Sequence, residues 1–277
     1  MITDDVKKTL RTLGVNPQKD KGQNFLIDPA AIQEIIRFGR PELTQGKIIE
    51  IGPGLGALTA ELADSGKLSV IEIEHNFCEY IQKRFPQVEV IEEDVRLVDF
   101  SEFGDNLTVF GNLPYSISTD VILHLSNFAA HLKRAVVMLQ KEFAERLAAK
   151  PGCRDYGTIT ITCQMQADVR LGPIIKGDSF FPEAAVDSQV IELRFLPQPR
   201  CRYQDAYIFN SLVTAAFHER RKKILNSIRK SEVFSNFDVL AALNKAGIDP
   251  MRRAETLSIE DYCRLSDELS LQEQNKN

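Results

Sequence analysis

The order of apolar runs constrains this chain more than any other feature. From residue 47, "KIIEIG" (47–52), "LSVIEIE" (68–74), "VEVIEED" (88–94), "LTVFGN" (107–112) and "RAVVMLQ" (134–140) alternate with four stretches, 57–65, 76–85, 117–128 and 141–149, whose apolar residues recur at helical spacing. Such short runs, rich in Val and Ile, read as strands buried on both faces. Strand–helix alternation makes successive strands parallel, so the pattern predicts an open parallel sheet with helices on both faces.

The pattern then changes. "GTITITCQMQADVRL" (157–171) and "VDSQVIELRFL" (186–196) alternate strictly with no helix between them, which predicts an antiparallel strand pair. After "PQPR" (197–200) the signals are helical: "DAYIFNSLVTAAF", "KKILNSIRK", "FDVLAALNKAG" and "SIEDYCRLSDEL". We therefore expect an α/β domain over residues 1–196, a doubly wound Rossmann-like sheet with a C-terminal antiparallel pair. A small all-α domain over 197–277 follows it.

Charge is distributed unevenly. The net formal charge is −5, yet residues 200–277 carry 13 Lys and Arg against 11 Asp and Glu, and the preceding 199 residues carry 21 against 28. "HERRKKILNSIRK" (218–230) holds six cations and one acid, and Lys7, Lys8, Arg11, Lys19 and Lys21 form a second basic group. Either cluster alone describes a solvated helix face as well as a polyanion-binding surface. The start, "MITDDVKKTL", has no apolar core of a secretory signal, and no apolar run is long enough for a membrane span. The five cysteines (78, 153, 163, 201 and 263) form no C-x-x-C pair, so reduced structural thiols in a cytoplasmic protein are expected, with neither a disulfide framework nor a metal site.

Chemistry-bearing residues gather at the strand ends. "EIGPGLGALT" (50–59) joins the first strand to its helix, where glycines admit a ligand close to the backbone and the helix start offers free N–H groups. Gly52 opens this turn. Glu72, ending the second strand, is placed to accept hydrogen bonds from a ribose diol. Asp94, after the third, is placed to take an exocyclic amine. These features suit NAD and adenosine-type ligands equally. The fourth strand ends in "GNLPYSIST" (111–119). Asn112 has an amide oxygen, Pro114 a fixed turn and a carbonyl, and Tyr115 an aromatic face. Together they suit a planar base with an exocyclic NH2, held so that its lone pair points at an electrophile.

"GQNFLID" (22–28), "EIGPGLGALT", "VIEIE", "EED", "GNLPYSIST", "FFPEAAVDS" (180–188) and "AFHERRKKILNSI" occur in that order, and in them the chain resembles the ribosomal RNA adenine N6-dimethyltransferase (KsgA) family. The likeness runs from about residue 7 to "RAETLSIEDYCRL" (253–265). It implies a class I methyltransferase fold with S-adenosylmethionine as cofactor. The implied substrate is two adjacent adenines near the 3′ end of small-subunit 16S rRNA, within a pre-30S particle, and a monomeric enzyme is expected. Carried over, the resemblance puts Asn24 and Leu26 at the edge of the cofactor pocket, and Gly52 beside the methionine part. Glu72 goes to the ribose hydroxyls, Asp94 to the cofactor adenine and Asn112 between cofactor and target base. Tyr115 and Phe180 are to stack on the flipped adenine, since N6 cannot reach the methyl donor from inside a base stack. In one place the chain departs from the family pattern F-x-P-x-P-x-V-x-S: Ala184 stands for the second proline, which puts the stiffness of that loop in question and makes Phe181 a rival to Phe180.

Three alternatives stand beside this expectation. A large-subunit rRNA adenine methyltransferase of the macrolide-resistance type shares many motifs, though "AFHERRKKILNSI" and "RAETLSIEDY" fit the small-subunit enzymes better. An NAD-dependent oxidoreductase explains the glycine turn but not "NLPY". A ribosome-assembly factor without catalysis explains the basic clusters but not an intact pocket.

Overall fold

The computed structural model describes residues 3–17, 23–40, 44–65 and 67–274. The described chain opens with α1 (Thr3–Thr12), a two-residue strand β1 (Phe25–Leu26) and α2 (Pro29–Gly39), where Asp28 accepts from the Ala30 N–H at 2.9 Å and a proline occupies the first turn. The five apolar runs form β2 (Ile48–Ile51), β3 (Leu68–Glu72), β4 (Glu89–Glu92), β5 (Leu107–Asn112) and β6 (Leu132–Gln140). Between and after them lie α3 (Thr59–Leu62), α4 (His75–Arg84), α5 (Ser118–Asn127) and α6 (Lys141–Leu147). Next come α7 (Thr158–Gln166), β7 (Ala167–Ile175), β8 (Phe180–Phe181) and β9 (Ser188–Phe195).

Seven strands make the main sheet in the order β4-β3-β2-β5-β6-β9-β7. The pairs from β4 through β6 are parallel, and β9 lies antiparallel to both β6 and β7. Every residue of β2 and β3 is buried, as double-sided helix cover requires, whereas the edge strand β4 is half open. The chain runs outward from β2 through β3 to β4, then returns to place β5 on the other side of β2. That reversal leaves a crevice beyond the carboxyl ends of β2 and β5, the position where open α/β sheets bind ligands. β1 and β8 pair separately, with Phe25 opposite Phe181 and Leu26 opposite Phe180.

The structure divides into two compact units, Met1–Glu145 with Ala167–Pro197, and Arg146–Gln166 with Gln198–Asn277. The last crossing falls after Pro197, one residue beyond the break expected after 196, and residues 146–166 group with the C-terminal helices. This follows from a correction to the strand expected over 157–171. Only its last five residues belong to β7, and "TITITCQMQ" is helical. Ile161 and Met165, one helical turn apart, are both buried in the same apolar cluster as Leu212, Leu243 and Leu265. Burying each contributes about 1.5–3 kcal/mol, which outweighs the few tenths by which β-branched residues disfavour a helix. Thr160 and Thr162 satisfy their hydroxyls on the carbonyls of Arg146 and Thr158.

The second unit continues with α8 (Ala206–His218), α9 (Ile224–Arg229), α10 (Val239–Lys245) and α11 (Ile259–Gln274). Asp205 and Asp238 cap α8 and α10 through the N–H groups of Ile208 and Ala241. Here a second expectation is corrected: Cys201 and Cys263, 62 residues apart, form a disulfide. Neither spacing nor an odd cysteine count signals a pair that only folding brings together. Cys78 and Cys163 remain free and buried, and Cys153 free and exposed.

Candidate active site

The parallel register brings the carboxyl ends of β2 to β5 to one end of the sheet, around a cavity of about 360 Å³. Seven of the eight residues expected in the site line it: Asn24, Leu26, Gly52, Glu72, Asp94, Asn112 and Tyr115.

The floor is the glycine turn after β2. Gly52 and Gly54 have φ of 65° and 52°, a left-handed conformation that side chains with a Cβ adopt only under strain. A Cβ on Gly54 would also press on the Phe25 ring at 3.3 Å. The turn is tied to β3 by Glu72, whose carboxylate accepts from the N–H groups of Gly54 (3.2 Å), Ile73 (2.9 Å) and Glu74 (3.0 Å). Burial nevertheless raises the Glu72 pKa above its ordinary value, against the lowering effect of those donors.

Asp94 meets a partner that the sequence motifs did not announce. Arg96 reaches its carboxylate through Nε at 3.0 and 3.1 Å and through Nη2, and this pairing lowers the Asp94 pKa. Asp120 lies 3.7 Å from the same guanidinium.

On the opposite wall, the Asn112 amide nitrogen donates to the Asn24 carbonyl at 3.1 Å. That bond fixes the amide and turns its oxygen to the other side. Pro114 does not match its expected role. Its carbonyl already accepts from the Ser118 hydroxyl at 3.0 Å and the Ile117 N–H at 3.2 Å, which uses both lone pairs. The neighbouring Leu113 also lines the cavity, and among the described residues no group donates to its carbonyl. Tyr115 is anchored by its hydroxyl to Ser188 of β9 at 2.8 Å.

Phe180 is the residue that the structure does not bring to the cavity. It is 3 % exposed, pairs with Leu26 and packs in the apolar core between α2 and the sheet. Phe181 is only partly buried and lies beneath Lys7, whose Nζ is 5.4 Å from the ring centre. Ala184 is buried and its N–H donates to the Gly177 carbonyl at 3.1 Å, so a hydrogen bond that proline cannot make holds this loop.

A family model described as ribosomal RNA adenine dimethylase matches residues 14–271. The chain belongs to that family. Its relatives include the ribosomal RNA small subunit methyltransferase A of Idiomarina loihiensis, 40 % identical over 93 % of this chain and 89 % of the relative. The protein of the same name from Clostridium botulinum is 36 % identical over 90 % and 92 %. Among solved structures, a dimethyladenosine transferase from Plasmodium falciparum superposes with a TM-score of 0.76 at 26 % identity, covering 91 % of this chain and 98 % of that one. The 23S rRNA methyltransferase ErmE shares the fold, with a TM-score of 0.65 at 24 % identity over 89 % and 100 % of the two chains. The α/β methyltransferase fold expected from the sequence is thus the fold of this adenine dimethylase family.

Motif matching did not single out Arg96, the Leu113 carbonyl or Glu50, a buried carboxyl on β2 that also lines the cavity. Nor did it single out Val6 of α1, whose helix closes one side of the cavity through contacts of Val6 and Leu10 with Leu55 and Phe77. The helical spacing of Val6 and Leu10 was legible. Among the described residues no cluster of His, Cys, Asp and Glu is placed to hold a metal, and no helix is long and apolar enough to cross a membrane.

In the second unit, Arg220, though exposed, is tied down by donating to the carbonyls of Arg154 and, at 2.9 Å, Tyr156. Lys230 pairs with Glu219, whereas Arg221, Lys222 and Lys223 are exposed. On α1, Lys7, Lys8 and Arg11 are exposed too. Lys19 and Lys21, like Gly22 of the first motif, lie outside the described residues.

Proposed function

We propose that this chain dimethylates N6 of two adjacent adenines near the 3′ end of small-subunit 16S rRNA, with S-adenosylmethionine as methyl donor. Membership of the adenine dimethylase family supports the reaction class. The observation that carries the assignment of roles is the Asn112–Asn24 bond, which aims one amide oxygen from the end of β5 across a cavity whose far wall bears Glu72. The cofactor fits the residues present: a glycine cradle that a Cβ would strain, and two carboxylates at the ends of adjacent strands.

Bound S-adenosylmethionine supplies a methyl group made electrophilic by its sulfonium. Gly52 lets the backbone come close to the methionine part, and Asn24 and Leu26 edge the pocket. Glu72, its carboxylate fixed by three N–H groups, accepts from the ribose diol. Asp94 accepts from the cofactor adenine by giving up one contact with Arg96, for which Asp120 is the alternative partner. The Asn112 oxygen and the Leu113 carbonyl, in place of Pro114, accept the two hydrogens of the target N6. This orients the lone pair of a weak nucleophile, and orientation is the main catalytic contribution. Tyr115 stacks on the flipped base, while Phe180 backs the wall from the core.

The substrate we favour is the pre-30S particle, with the exposed cations of residues 221–223 on its phosphates and the protein acting as a monomer in the cytoplasm. The Cys201–Cys263 disulfide is a feature of the described residues that a reducing compartment does not favour. The test is incubation with labelled methyl donor and separated ribosomal subunits from an undermethylated strain. We expect label in small-subunit rRNA, recovered as N6,N6-dimethyladenosine after a monomethyl intermediate. Label in large-subunit RNA would reassign the substrate, and a final product stalled at monomethyl would remove the dimethyl assignment.

A further inference from the structure

Glu50 occupies a position where a strand of this kind holds an apolar residue. It lies third in the four-residue β2, is 2 % exposed, and is flanked across the sheet by Val70 and Phe110. Its described side-chain partner is the Thr59 hydroxyl, which donates to Oε2 at 2.7 Å from the first residue of α3. The neutral hydroxyl and backbone N–H of one threonine do not compensate a buried carboxylate charge.

Among the described residues the surroundings supply no unpaired cation. From β3 and its following loop come Glu72 and Glu74, and from the loop after β4 come Glu93, Asp94 and Arg96, the last held by Asp94. β5 and its turn bring Asn112 and Tyr115, and α4 brings Phe77 to the cavity with the Cys78 thiol behind it. α3 carries Glu61 on its exposed side. α1 brings only Val6, its Lys7 and Lys8 being exposed. Among the described residues the cavity is therefore rich in carboxyl groups, and the guanidinium that lines it, that of Arg96, is already paired.

We propose that Glu50 carries a proton in the empty cavity and releases it when a positively charged ligand enters, so that the site distinguishes the sulfonium donor from its neutral thioether product by proton exchange. Burial, reinforced by the nearby charge of Glu72 and opposed by Thr59, pushes the Glu50 pKa up to about 8, in agreement with this geometry. The inference rests on the S-adenosylmethionine assignment above. The proton count closes over one turnover. Glu50 loses a proton as the donor binds. On transfer the S–CH3 bond breaks with its electron pair left on sulfur, the N6 lone pair forms the N–CH3 bond, and N6 sheds one proton to solvent. The pocket has then lost a positive charge, and Glu50 takes a proton back. One proton is released in all, as the stoichiometry of N-methylation demands. Product is favoured by protonated Glu50 and donor by ionised Glu50, so the balance between them shifts toward donor as pH rises toward 8.

Isothermal titration calorimetry on the whole protein, in two buffers of different ionisation enthalpy near pH 7, counts these protons. We expect about one proton released per S-adenosylmethionine bound and about none per S-adenosylhomocysteine. Glu50→Gln should bind both ligands with no proton release. Equal release for the two ligands, or none for the donor, in the wild-type protein overturns the proposal. Failure of both ligands to bind sinks the cofactor assignment instead. If the Gln variant does not fold, the wild-type comparison alone decides.

Discussion

Tyr115 and Ser188 share a 2.8 Å hydrogen bond although 73 residues separate them. The bond joins the turn after β5 to the first residue of β9 and fixes the plane of the ring that lines the cavity. Tyr115→Phe keeps the ring but frees it to rock. A lost hydrogen bond of this kind costs about 1 kcal/mol, so we expect about a fivefold fall in single-turnover methylation, and Ser188→Ala should match it. Tyr115→Ala should fall much further. Identical rates for the Phe and Ala variants would remove stacking from the role of Tyr115.

Asn112→Ala should lower turnover far more than cofactor affinity, because its oxygen acts on the target amine. Comparison with donors of the oxyanion type suggests a loss of roughly 2–4 kcal/mol in the barrier. Asn112→Asp keeps an acceptor but loses the donor to the Asn24 carbonyl and sets a carboxylate against it. We expect that variant to be impaired as well, with weaker cofactor binding measured by calorimetry.

Ala184→Pro restores the family residue at a position where this chain has built something else. Proline removes the N–H that bonds Gly177 and puts ring carbon against its carbonyl. We expect a loss of ~1–3 kcal/mol in urea unfolding. An unchanged or raised stability would show that the proline loop and the alanine loop are interchangeable.

The basic run 220–223 divides into two kinds of residue. Arg221, Lys222 and Lys223 changed together to Gln should reduce the salt dependence of RNA binding, because fewer counterions are released, and should leave the melting temperature nearly unchanged. Arg220→Gln should do the reverse, lowering stability through its lost bonds to Arg154 and Tyr156. A salt slope unmoved by the triple change would make these side chains an ordinary solvated surface.

Glu50 also gives the ligand-free protein a pH signature. Its folded pKa of about 8 lies above the ordinary 4.5, so across that window the folded chain keeps a proton that the unfolded chain has lost. The stability contributed by Glu50 is therefore complete at low pH and declines as pH rises through the folded value, by roughly a few kcal/mol in all. Denaturant midpoints of wild type and Glu50→Gln should diverge between about pH 5 and about pH 8, the variant becoming relatively more stable. Parallel profiles would contradict the raised pKa.

Much of this molecule is legible before folding is considered. The strands β2, β3, β5 and β6 declare themselves because parallel strands covered on both faces need continuous apolar runs, and the edge strand β4 keeps Val90 and Ile91 between two glutamates. The site residues at their ends then follow from topology. What is hidden depends on contacts between distant segments. "TITITCQMQ" looks like a strand until Ile161 and Met165 find a helical core. The Cys201–Cys263 pair has no local mark. Phe180 matches a motif, yet its ring packs into the core through pairing with Leu26, and Arg96 competes for Asp94 from two residues away, outside any motif.

Residues 146–166 belong to the second unit and 167–197 to the first, so the chain passes between the units three times. Neither unit is a continuous stretch of gene. A fragment starting at residue 198 lacks Tyr156, Ile161 and Met165 from its apolar core, and a fragment ending at 145 lacks β9 and β7 from its sheet. During synthesis the first unit stays unfinished until β9 leaves the ribosome, by which time α7 has already emerged without the helices it needs. Excising either half as a working module therefore requires splicing, with residues 146–166 removed from one piece and joined to the other.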